Sequence, residues 1–226
     1  MKTIVFAASK GGVGKTTLAF NVAIEAAKHG SVFVADMDPQ KSLETFSEIR
    51  GGENPALLQK VQSIPRAIAD LKRAGLARDF LIVDTPGSFM NVIKDAVTAA
   101  DCVVIPMQPS PIDILAQEDV LLLVDQLGKK SSALPVLSRL VGRTGIDDVV
   151  KRIMSMFSNP HVTIKNRIVY ARALVEGKAA PEIDQECSAE ISGLWKAIQR
   201  TIRKAEHESS RHAEASAEND ARPRRG

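Results

Sequence analysis

The sequence predicts an α/β protein with a single doubly wound, mostly parallel sheet and helices on both of its faces. Short, continuous apolar runs alternate with segments of helical periodicity along most of the 226 residues. Strands that are buried on both faces have this apolar pattern, and parallel neighbours need crossover helices between them. A chain of this length, with 44% hydrophobic residues, fills one domain but is short for two.

Six apolar runs predict strands, and a seventh run is a weaker candidate. The strands are expected at Thr3–Ala8, Ser31–Ala35, Phe80–Val83, Cys102–Pro106, Val136–Val141 and His161–Ile164, with the weaker one at Val61–Ser63. The intervening segments predict helices at Thr16–Lys28, Lys41–Arg50, Pro65–Ala74, Asn91–Ala100, Ile114–Leu127 and Asp147–Phe157. Ligands of such folds bind at the carboxyl ends of the strands, so we expect the functional residues there.

A last helix is expected at Asp184–Ala205, where apolar residues form one stripe and basic residues surround it. The stripe consists of Ile191, Leu194, Trp195, Ile198 and Ile202. We expect it to dock on the sheet, although an amphipathic helix of this kind can also bind a membrane surface. Residues 206–226 contain nothing more apolar than alanine, and we expect a disordered tail after a single domain at 1–205.

A glycine-rich loop follows the first predicted strand. Residues 8–17 read Ala-Ser-Lys-Gly-Gly-Val-Gly-Lys-Thr-Thr and lead into the first helix. Such a turn presents backbone N–H groups to phosphates, while Lys15 supplies a charge and Thr16 offers a hydroxyl to Mg²⁺. The common P-loop has glycine where this chain has Ser9, and Lys10 adds a second cation beside the phosphates. The loop therefore predicts a binding site for a nucleoside triphosphate.

Two further strands end in acidic residues at the same predicted edge of the sheet. Asp36 and Asp38 follow the second strand, and Asp84 and Gly87 follow the Phe80–Val83 run. Hydrolysis of a phosphoanhydride needs a metal near the β/γ oxygens, a group that orients water and a donor to the γ-phosphate. We expect Asp84 to assist the metal, Asp38 to orient the water and the Gly87 N–H to face the γ-phosphate.

Together, these three segments resemble the signatures of the ParA/MinD family of deviant Walker A ATPases. The resemblance is carried by residues 10–17, 36–40 and 84–87, and it continues through 105–113 and 167–177 over roughly residues 1–205. The last two segments are similar to those of the short ParF-like partition ATPases, which lack an N-terminal helix-turn-helix. The segment at 106–111 resembles one that is implicated in dimer and higher-order contacts in these short members.

The resemblance implies a nucleotide-driven cycle. Two subunits would sandwich ATP and Mg²⁺, the homodimer would bind DNA without sequence preference, and a ParB-like centromere-binding protein would stimulate slow hydrolysis. The function implied is segregation of plasmid or other DNA cargo. Catalytic roles fall on Lys10, which reaches the partner's nucleotide, and on Lys15 and Asp38. The nucleotide-binding residues would be Lys10, Gly11, Gly12, Val13, Gly14, Lys15, Thr16, Thr17 and Gly87, and the metal-binding residues Thr16, Asp84 and, less firmly, Asp36.

The charge distribution indicates where a polyanion would bind. Residues 139–205 carry 12 Lys and Arg against 7 Asp and Glu, whereas residues 1–138 carry 14 against 15. Doubling this basic excess in a dimer would create a phosphate-binding stripe, although a solvated basic face without a partner has the same composition. The candidate DNA-binding residues are Arg167, Arg172, Lys178, Arg200, Arg203 and Lys204.

Several other functions share the nucleotide motifs. A MinD-like membrane-associated ATPase would need a terminal membrane helix, and a nitrogenase-reductase-like electron carrier would need clustered cysteines, whereas Cys102 and Cys187 lie far apart. Two alternatives stay open: an ATP-dependent filament former, and an ATPase that positions a protein cargo such as a carboxysome or a chemoreceptor cluster. A small-molecule kinase would need an acceptor pocket, for which we can nominate no residues. Without a signal peptide or apolar span, we expect a cytoplasmic, nucleoid-associated protein. Gly142–Thr144, which follows a predicted strand, is a candidate segment for contacts with the adenine base.

Overall fold

The computed structural model describes residues 1–141, 148–155 and 157–220, and it confirms the predicted α/β architecture. The described residues form one seven-stranded sheet, in which every neighbouring pair is parallel. In chain order, strands β1 to β7 are Lys2–Phe6, Val32–Asp36, Ala56–Leu58, Phe80–Asp84, Cys102–Met107, Ala133–Leu140 and Val162–Lys165. Their order across the sheet is β3-β2-β4-β1-β5-β6-β7.

Helices cover both faces of the sheet. Helices α1 to α9 are Lys15–Ala27, Ser42–Arg50, Ile64–Arg73, Met90–Thr98, Pro111–Leu115, Glu118–Gln126, Asp148–Met154, Ile168–Val175 and Gln185–Asp220. Alternate residues of β1 belong to two separate apolar cores: Ile4 and Phe6 pack with α1 and α9, and Val5 packs with α4 and α6. Burial on both faces explains why the central strands are continuous apolar runs.

The edge strand lies elsewhere than expected. The weak candidate at Val61–Ser63 is wrong, because β3 is Ala56–Leu58, which pairs in parallel with Phe33–Ala35 of β2. Ser63 instead precedes α3, and the backbone N–H of Ile64 donates to Asp95 at 2.7 Å. The run Ala-Leu-Leu is too short to stand out by periodicity, and its pairing partner decides its conformation.

The helix expected at Ile114–Leu127 is divided into α5 and α6. The division falls at Ala116 and Gln117, where the buried Gln117 side chain accepts a hydrogen bond from the backbone N–H of Ser9 at 3.0 Å. Helix α8 follows β7 in a segment for which the sequence analysis gave no element. These differences from the predicted helices depend on contacts between residues that are distant in sequence, and the spacing of apolar residues within one helix does not reveal such contacts.

The last helix docks on the sheet, as its apolar stripe predicts. Ile191, Leu194, Trp195, Ile198 and Ile202 are all buried in the same core as α1, and Trp195 meets the Phe80 ring edge to face. Helix α9 then continues beyond Ala205 to residue 220, where a disordered tail was expected. Residues 206–220 contain helix-favouring Ala and Glu and no Gly or Pro, and Glu206 forms an ion pair with Lys2. Among the described helices, none has the length and apolarity needed to span a membrane.

Candidate nucleotide site

The carboxyl ends of three adjacent strands form the centre of the site. Strand β4 lies between β2 and β1, and its last residue, Asp84, is in register with Asp36 on one side and Phe6 on the other. The glycine-rich loop follows β1, so the loop and both acidic strand ends meet at one sheet edge. This juxtaposition was predicted from the rule that parallel strands place their carboxyl ends together.

Backbone conformation explains two of the loop glycines. Gly12 and Gly14 have φ angles of +75° and +96°, in the left-handed region that favours glycine. Two hydrogen bonds connect the loop to the neighbouring strands β5 and β6. Ala7 N–H donates to the carbonyl of Val104 at 3.0 Å, and the Ser138 hydroxyl donates to the carbonyl of Val13 at 2.6 Å. Helix α1 begins at Lys15 directly after Gly14, so its positive dipole end faces the loop.

Asp84 and Thr16 form a hydrogen-bonded oxygen pair at the site. The Thr16 hydroxyl donates to Asp84 Oδ2 at 2.5 Å, and Asp84 is fully buried. The other carboxylate oxygen, Oδ1, is buried and has no hydrogen-bond partner among the residues that the structure describes. Burial raises the pKa of Asp84 to about 7, against the smaller lowering effect of the Thr16 hydrogen bond. An unpartnered buried carboxylate oxygen beside a hydroxyl suits a hard cation such as Mg²⁺.

Lys15 is the buried cation of the site. The residue is 6% exposed, and its Nζ donates to the carbonyl of Lys10 at 3.3 Å, which folds the side chain back toward the loop. Burial lowers the pKa of Lys15, while the nearby carboxylates of Asp84 and Asp38 raise it. A buried ammonium beside a glycine-rich loop is suited to bind phosphate oxygens.

The two acidic residues after β2 have different environments. Asp36 is buried, and its carboxylate accepts from the backbone N–H groups of Asp38 at 2.9 Å and Glu44 at 3.0 Å. It therefore orders the turn that leads into α2, and burial raises the pKa of its carboxyl group. Asp38 is partly exposed and accepts from the Gln40 N–H at 2.9 Å. Of the two, Asp38 is the one that water can reach.

Gly87 lies against the glycine-rich loop. A Cβ atom placed on Gly87 would come within 3.2 Å of the backbone nitrogen of Gly11 and 3.4 Å of the carbonyl carbon of Lys10. Only a residue without a side chain leaves the two backbone segments at this distance undisturbed. The structure thus brings Gly87 to the loop, as its proposed contact with the γ-phosphate requires.

Ser9 and Lys10 are held by residues that sequence reasoning did not assign to the site. The Ser9 hydroxyl donates to the carbonyl of Ala116, its backbone N–H donates to Gln117, and Lys10 forms an ion pair with Asp113. Asp113 stands in the segment 105–113 that carries the family resemblance, but the sequence gave no sign of its contact. Lys10 is 47% exposed on its side chain and therefore stands at the rim of the site.

A small cleft beside the loop was also missed. Gly14, Thr17 and Leu18 form one wall, and residues at the carboxyl ends of β6 and β7, among them Arg139 and Asn166, form the other. Polar residues at the ends of two apolar runs were the available signal for this cleft. The candidate segment for adenine contacts, Gly142–Thr144, lies outside the described residues.

The candidate DNA-binding residues differ in whether their side chains already form ion pairs or hydrogen bonds within the chain. Arg167 is paired with Glu186 and Glu190 on α9, with 21% of its side chain exposed, and Lys178 is paired with Glu176 at 2.9 Å. Lys204 donates to the carbonyl of Ser158 at 2.6 Å. The remaining three, all of them exposed, are Arg172, Arg200 and Arg203.

Comparison with known proteins identifies the family of the chain. The family model described as the CobQ/CobB/MinD/ParA nucleotide binding domain matches residues 4–205, and the chain belongs to this family. The resemblance to ParA and MinD proteins is thereby confirmed. The family is defined by nucleotide binding, which is the chemistry that the loop, the buried lysine and the Thr16–Asp84 pair support.

The relatives found among curated proteins carry different names. "Maintenance of carboxysome distribution protein A" of Halothiobacillus neapolitanus is 29% identical over 182 residues, which are 77% of this chain and 84% of that protein. "Protein ParA" of Rhizobium radiobacter is 32% identical over 116 residues, which are 50% of this chain and 51% of that protein.

Solved structures share the fold. A putative plasmid partition protein of Borrelia burgdorferi bound to AMPPNP has a TM-score of 0.67 at 18% identity, covering 90% of this chain and 98% of that one. An ATP complex of a Cyanothece McdA variant has a TM-score of 0.70 at 19% identity, covering 88% and 96%. At this identity the likeness establishes the architecture, and the site residues must carry the chemistry.

Proposed function

We propose that this protein is a Mg²⁺-dependent ATPase that dimerises around ATP, binds DNA without sequence preference and positions a cargo with a ParB-like partner. The observation that carries this proposal is the hydrogen-bonded pair of Thr16 and Asp84, which lies beside the buried Lys15 at the start of α1. Asp84 Oδ1 is buried and has no hydrogen-bond partner among the described residues. Fold stability does not explain this combination, because burying charged groups costs free energy. Binding of a metal ion and of phosphate does explain it.

The chain's own groups divide the work of hydrolysis. Lys15 and the loop N–H groups hold the phosphates, and Asp38 orients the attacking water. Thr16 and Asp84 would hold Mg²⁺, which when bound supplies charge neutralisation at the phosphate oxygens. We assign no arginine of the described residues to the γ-phosphate, so turnover should be slow until a partner protein stimulates it.

Dimerisation is proposed to depend on Lys10. Lys15 already occupies the position under the loop, whereas Lys10 stands at the rim with 47% of its side chain exposed. A rim lysine can reach the phosphates of a facing subunit, which would make each ATP a bridge between two chains. The homodimer would form with ATP and separate after hydrolysis.

The DNA-binding part of the proposal rests on the basic excess in residues 139–205. Arg172, Arg200 and Arg203 are exposed, and dimerisation would double their number. Non-specific affinity for DNA grows with the number of phosphates that are neutralised, since each contact releases counterions. A protein of this kind would associate with the nucleoid, and affinity would rise when ATP brings two basic surfaces together.

DNA binding is tested with labelled duplexes of two unrelated sequences, with ATP, with ADP and without nucleotide. We expect similar affinity for both sequences, tighter binding with ATP and a steep fall with salt. Arg200→Glu with Arg203→Glu should lower the salt slope by about 3.6 if all four arginines of a dimer contact phosphate, since each contact contributes about 0.9. The control is Lys72→Glu with Arg73→Glu on α3, which changes the charge equally and also breaks the exposed ion pair between Arg73 and Asp70. Equal affinity with and without ATP, or equal effects of both double variants, would contradict the proposal.

A second candidate is the positioning of a protein assembly. The carboxysome relative aligns over 84% of its own length, whereas the ParA relative aligns over 51%. Both candidates need the same ATP and DNA chemistry, and they differ only in the cargo and its adaptor. Deletion of the gene separates them: plasmid loss indicates a DNA cargo, and clustering of a protein assembly with stable plasmids indicates the second candidate.

A further inference from the structure

Lys41 has a backbone conformation that lysine rarely adopts. Its φ and ψ angles are +53° and +33°, in the left-handed region, and it stands at the N-cap of α2. A lysine has no acceptor with which to cap a helix, and Asp36 accepts from the Glu44 N–H at 3.0 Å instead. Helix capping therefore does not explain the residue. Strained residues of this kind are concentrated at functional sites, where the surrounding structure holds them.

Two donors of Lys41 bind the turn that carries both acidic residues after β2. We call residues 36–41 the acidic turn. The Lys41 ammonium donates to the carbonyl of Asp36 at 2.6 Å, and its backbone N–H donates to the carbonyl of Asp38 at 3.0 Å. The lysine thus ties the end of the acidic turn to its beginning. A hydrogen bond from a charged donor is stronger than one between neutral groups.

The orientation of the Asp38 carboxylate depends on the backbone of the acidic turn. Among the described residues, one hydrogen bond reaches this carboxylate, from the Gln40 N–H to Oδ1 at 2.9 Å. The Asp38 N–H donates to Asp36 Oδ1, also at 2.9 Å, so both contacts of Asp38 lie within the turn. A shift of the turn would therefore move the carboxylate with it.

We propose that Lys41 is a positioning residue for hydrolysis, whose ammonium clamps the acidic turn so that the Asp38 carboxylate faces the attacking water. The inference rests on the proposed function, in which Asp38 orients that water. Lys41 touches neither the water nor the phosphates in this role, and its effect passes through the backbone of the turn. The left-handed conformation is retained because it accompanies this contact.

Lys41→Met removes the ammonium and keeps an unbranched side chain of similar length. The orientation of water matters in the transition state and not for nucleotide binding. We therefore expect kcat to fall about tenfold, as for the loss of one hydrogen bond from a charged group, while the affinity for AMPPNP stays unchanged. Single-turnover hydrolysis at saturating Mg²⁺ and ATP measures the first quantity, and calorimetric titration measures the second. Lys41→Arg keeps a charged donor and should restore most of the rate.

Two controls separate the clamp from other properties of the lysine. Lys60→Met is the matched control, because Lys60 also has a left-handed backbone, with φ of +56°, but lies in the loop after β3. Glu44→Gln removes the carboxylate that lies 3.7 Å from the Lys41 ammonium and leaves the clamp in place. Neither variant should change turnover.

Lys41→Gly distinguishes positioning from stability. Glycine adopts the left-handed conformation without strain, but it lacks the ammonium. This variant should hydrolyse ATP as slowly as Lys41→Met and be at least as stable in urea. Recovery of turnover in Lys41→Gly, or equal losses of turnover and AMPPNP affinity in Lys41→Met, would assign the lysine to the stability of the turn and overturn the inference.

Asp38→Ala distinguishes the inference from the proposed function. Unchanged turnover of Lys41→Met, while Asp38→Ala is slow, would overturn the clamp and leave the proposed function standing. Normal turnover of Asp38→Ala would remove the water-orienting role from Asp38, and the clamp with it.

Discussion

Substitution of Asp84 by asparagine should stabilise the nucleotide-free protein while it removes the metal site. Asp84 is fully buried, and burial raises its pKa from 3.8 to about 7. Above pH 7 the folded protein therefore contains a charge that the unfolded chain accommodates more easily in water. Asparagine has the same shape and keeps an oxygen for the 2.5 Å bond from Thr16, but it has no charge to bury.

The sign and size of the effect follow from linkage. The folded pKa lies above the unfolded one, so the folded state binds more protons, and stability falls as the pH rises between the two values. With pKa values of 3.8 and about 7, the loss between pH 5 and pH 8 is on the order of 2 to 3 kcal/mol for the wild type. Asp84→Asn lacks this contribution. Its free energy of unfolding, relative to the wild type, should therefore rise by the same order of magnitude over this interval.

Urea unfolding of both proteins at pH 5 and pH 8, in the presence of a chelator, measures this difference. Asp119→Asn serves as a control for the loss of one exposed carboxylate and should follow the pH dependence of the wild type. A parallel pH dependence of the wild type and Asp84→Asn would refute the reasoning. Mg²⁺ with ATP should raise the stability of the wild type through mass action, and it should raise that of Asp84→Asn far less.

Three further predictions concern the loop, the water-positioning group and a close backbone contact. Lys15→Ala should weaken ATP binding at least tenfold by calorimetric titration, because a charge-assisted phosphate contact is lost; unchanged affinity would remove Lys15 from the site. Asp38→Ala should bind ATP but hydrolyse it slowly and accumulate the dimer in light scattering, and intact turnover would contradict its role. Gly177→Ala should destabilise the protein by about 2–4 kcal/mol, since its Cβ would lie 2.6 Å from the backbone nitrogen of Arg50. In Gly128→Ala, where φ is +66° but nothing lies within 4 Å, we expect about 1 kcal/mol; equal losses would contradict the clash.

Much of the nucleotide site could be predicted from local sequence, because its parts lie at the ends of buried strands. Parallel strands joined by crossover helices place their carboxyl ends at one edge, so the residues after β1, β2 and β4 had to meet. Gly12 and Gly14 could also be placed in the turn, since the loop needs left-handed backbone there. The edge strand β3, with three residues, was too short for its pattern to be distinguished from a helix or loop.

The contacts of Ser9 and Lys10 could not be predicted in this way. Lys10 and Asp113 are 103 residues apart, and neither residue type at its position indicates the other. The break between α5 and α6 has the same origin, because the buried Gln117 serves the Ser9 backbone instead of facing solvent on a continuous helix. Helical periodicity reports which face is apolar and gives no information on a single buried polar residue.

The charge of the C-terminal third illustrates the same limit for a surface. Composition alone nominated Arg167 and Arg172 equally, but Arg167 is paired with two glutamates of α9 and lies beside the cleft near Gly14. Replacing Arg167 by an acid would place three carboxylates together and would disturb the packing of α8 on α9, so a loss of DNA binding in that variant would be ambiguous. Arg200 and Arg203 are exposed on one helix, three residues apart, and their reversal changes the surface charge without breaking a described ion pair. Tests of DNA binding should therefore begin with these two residues and compare them with an equally charged change on α3.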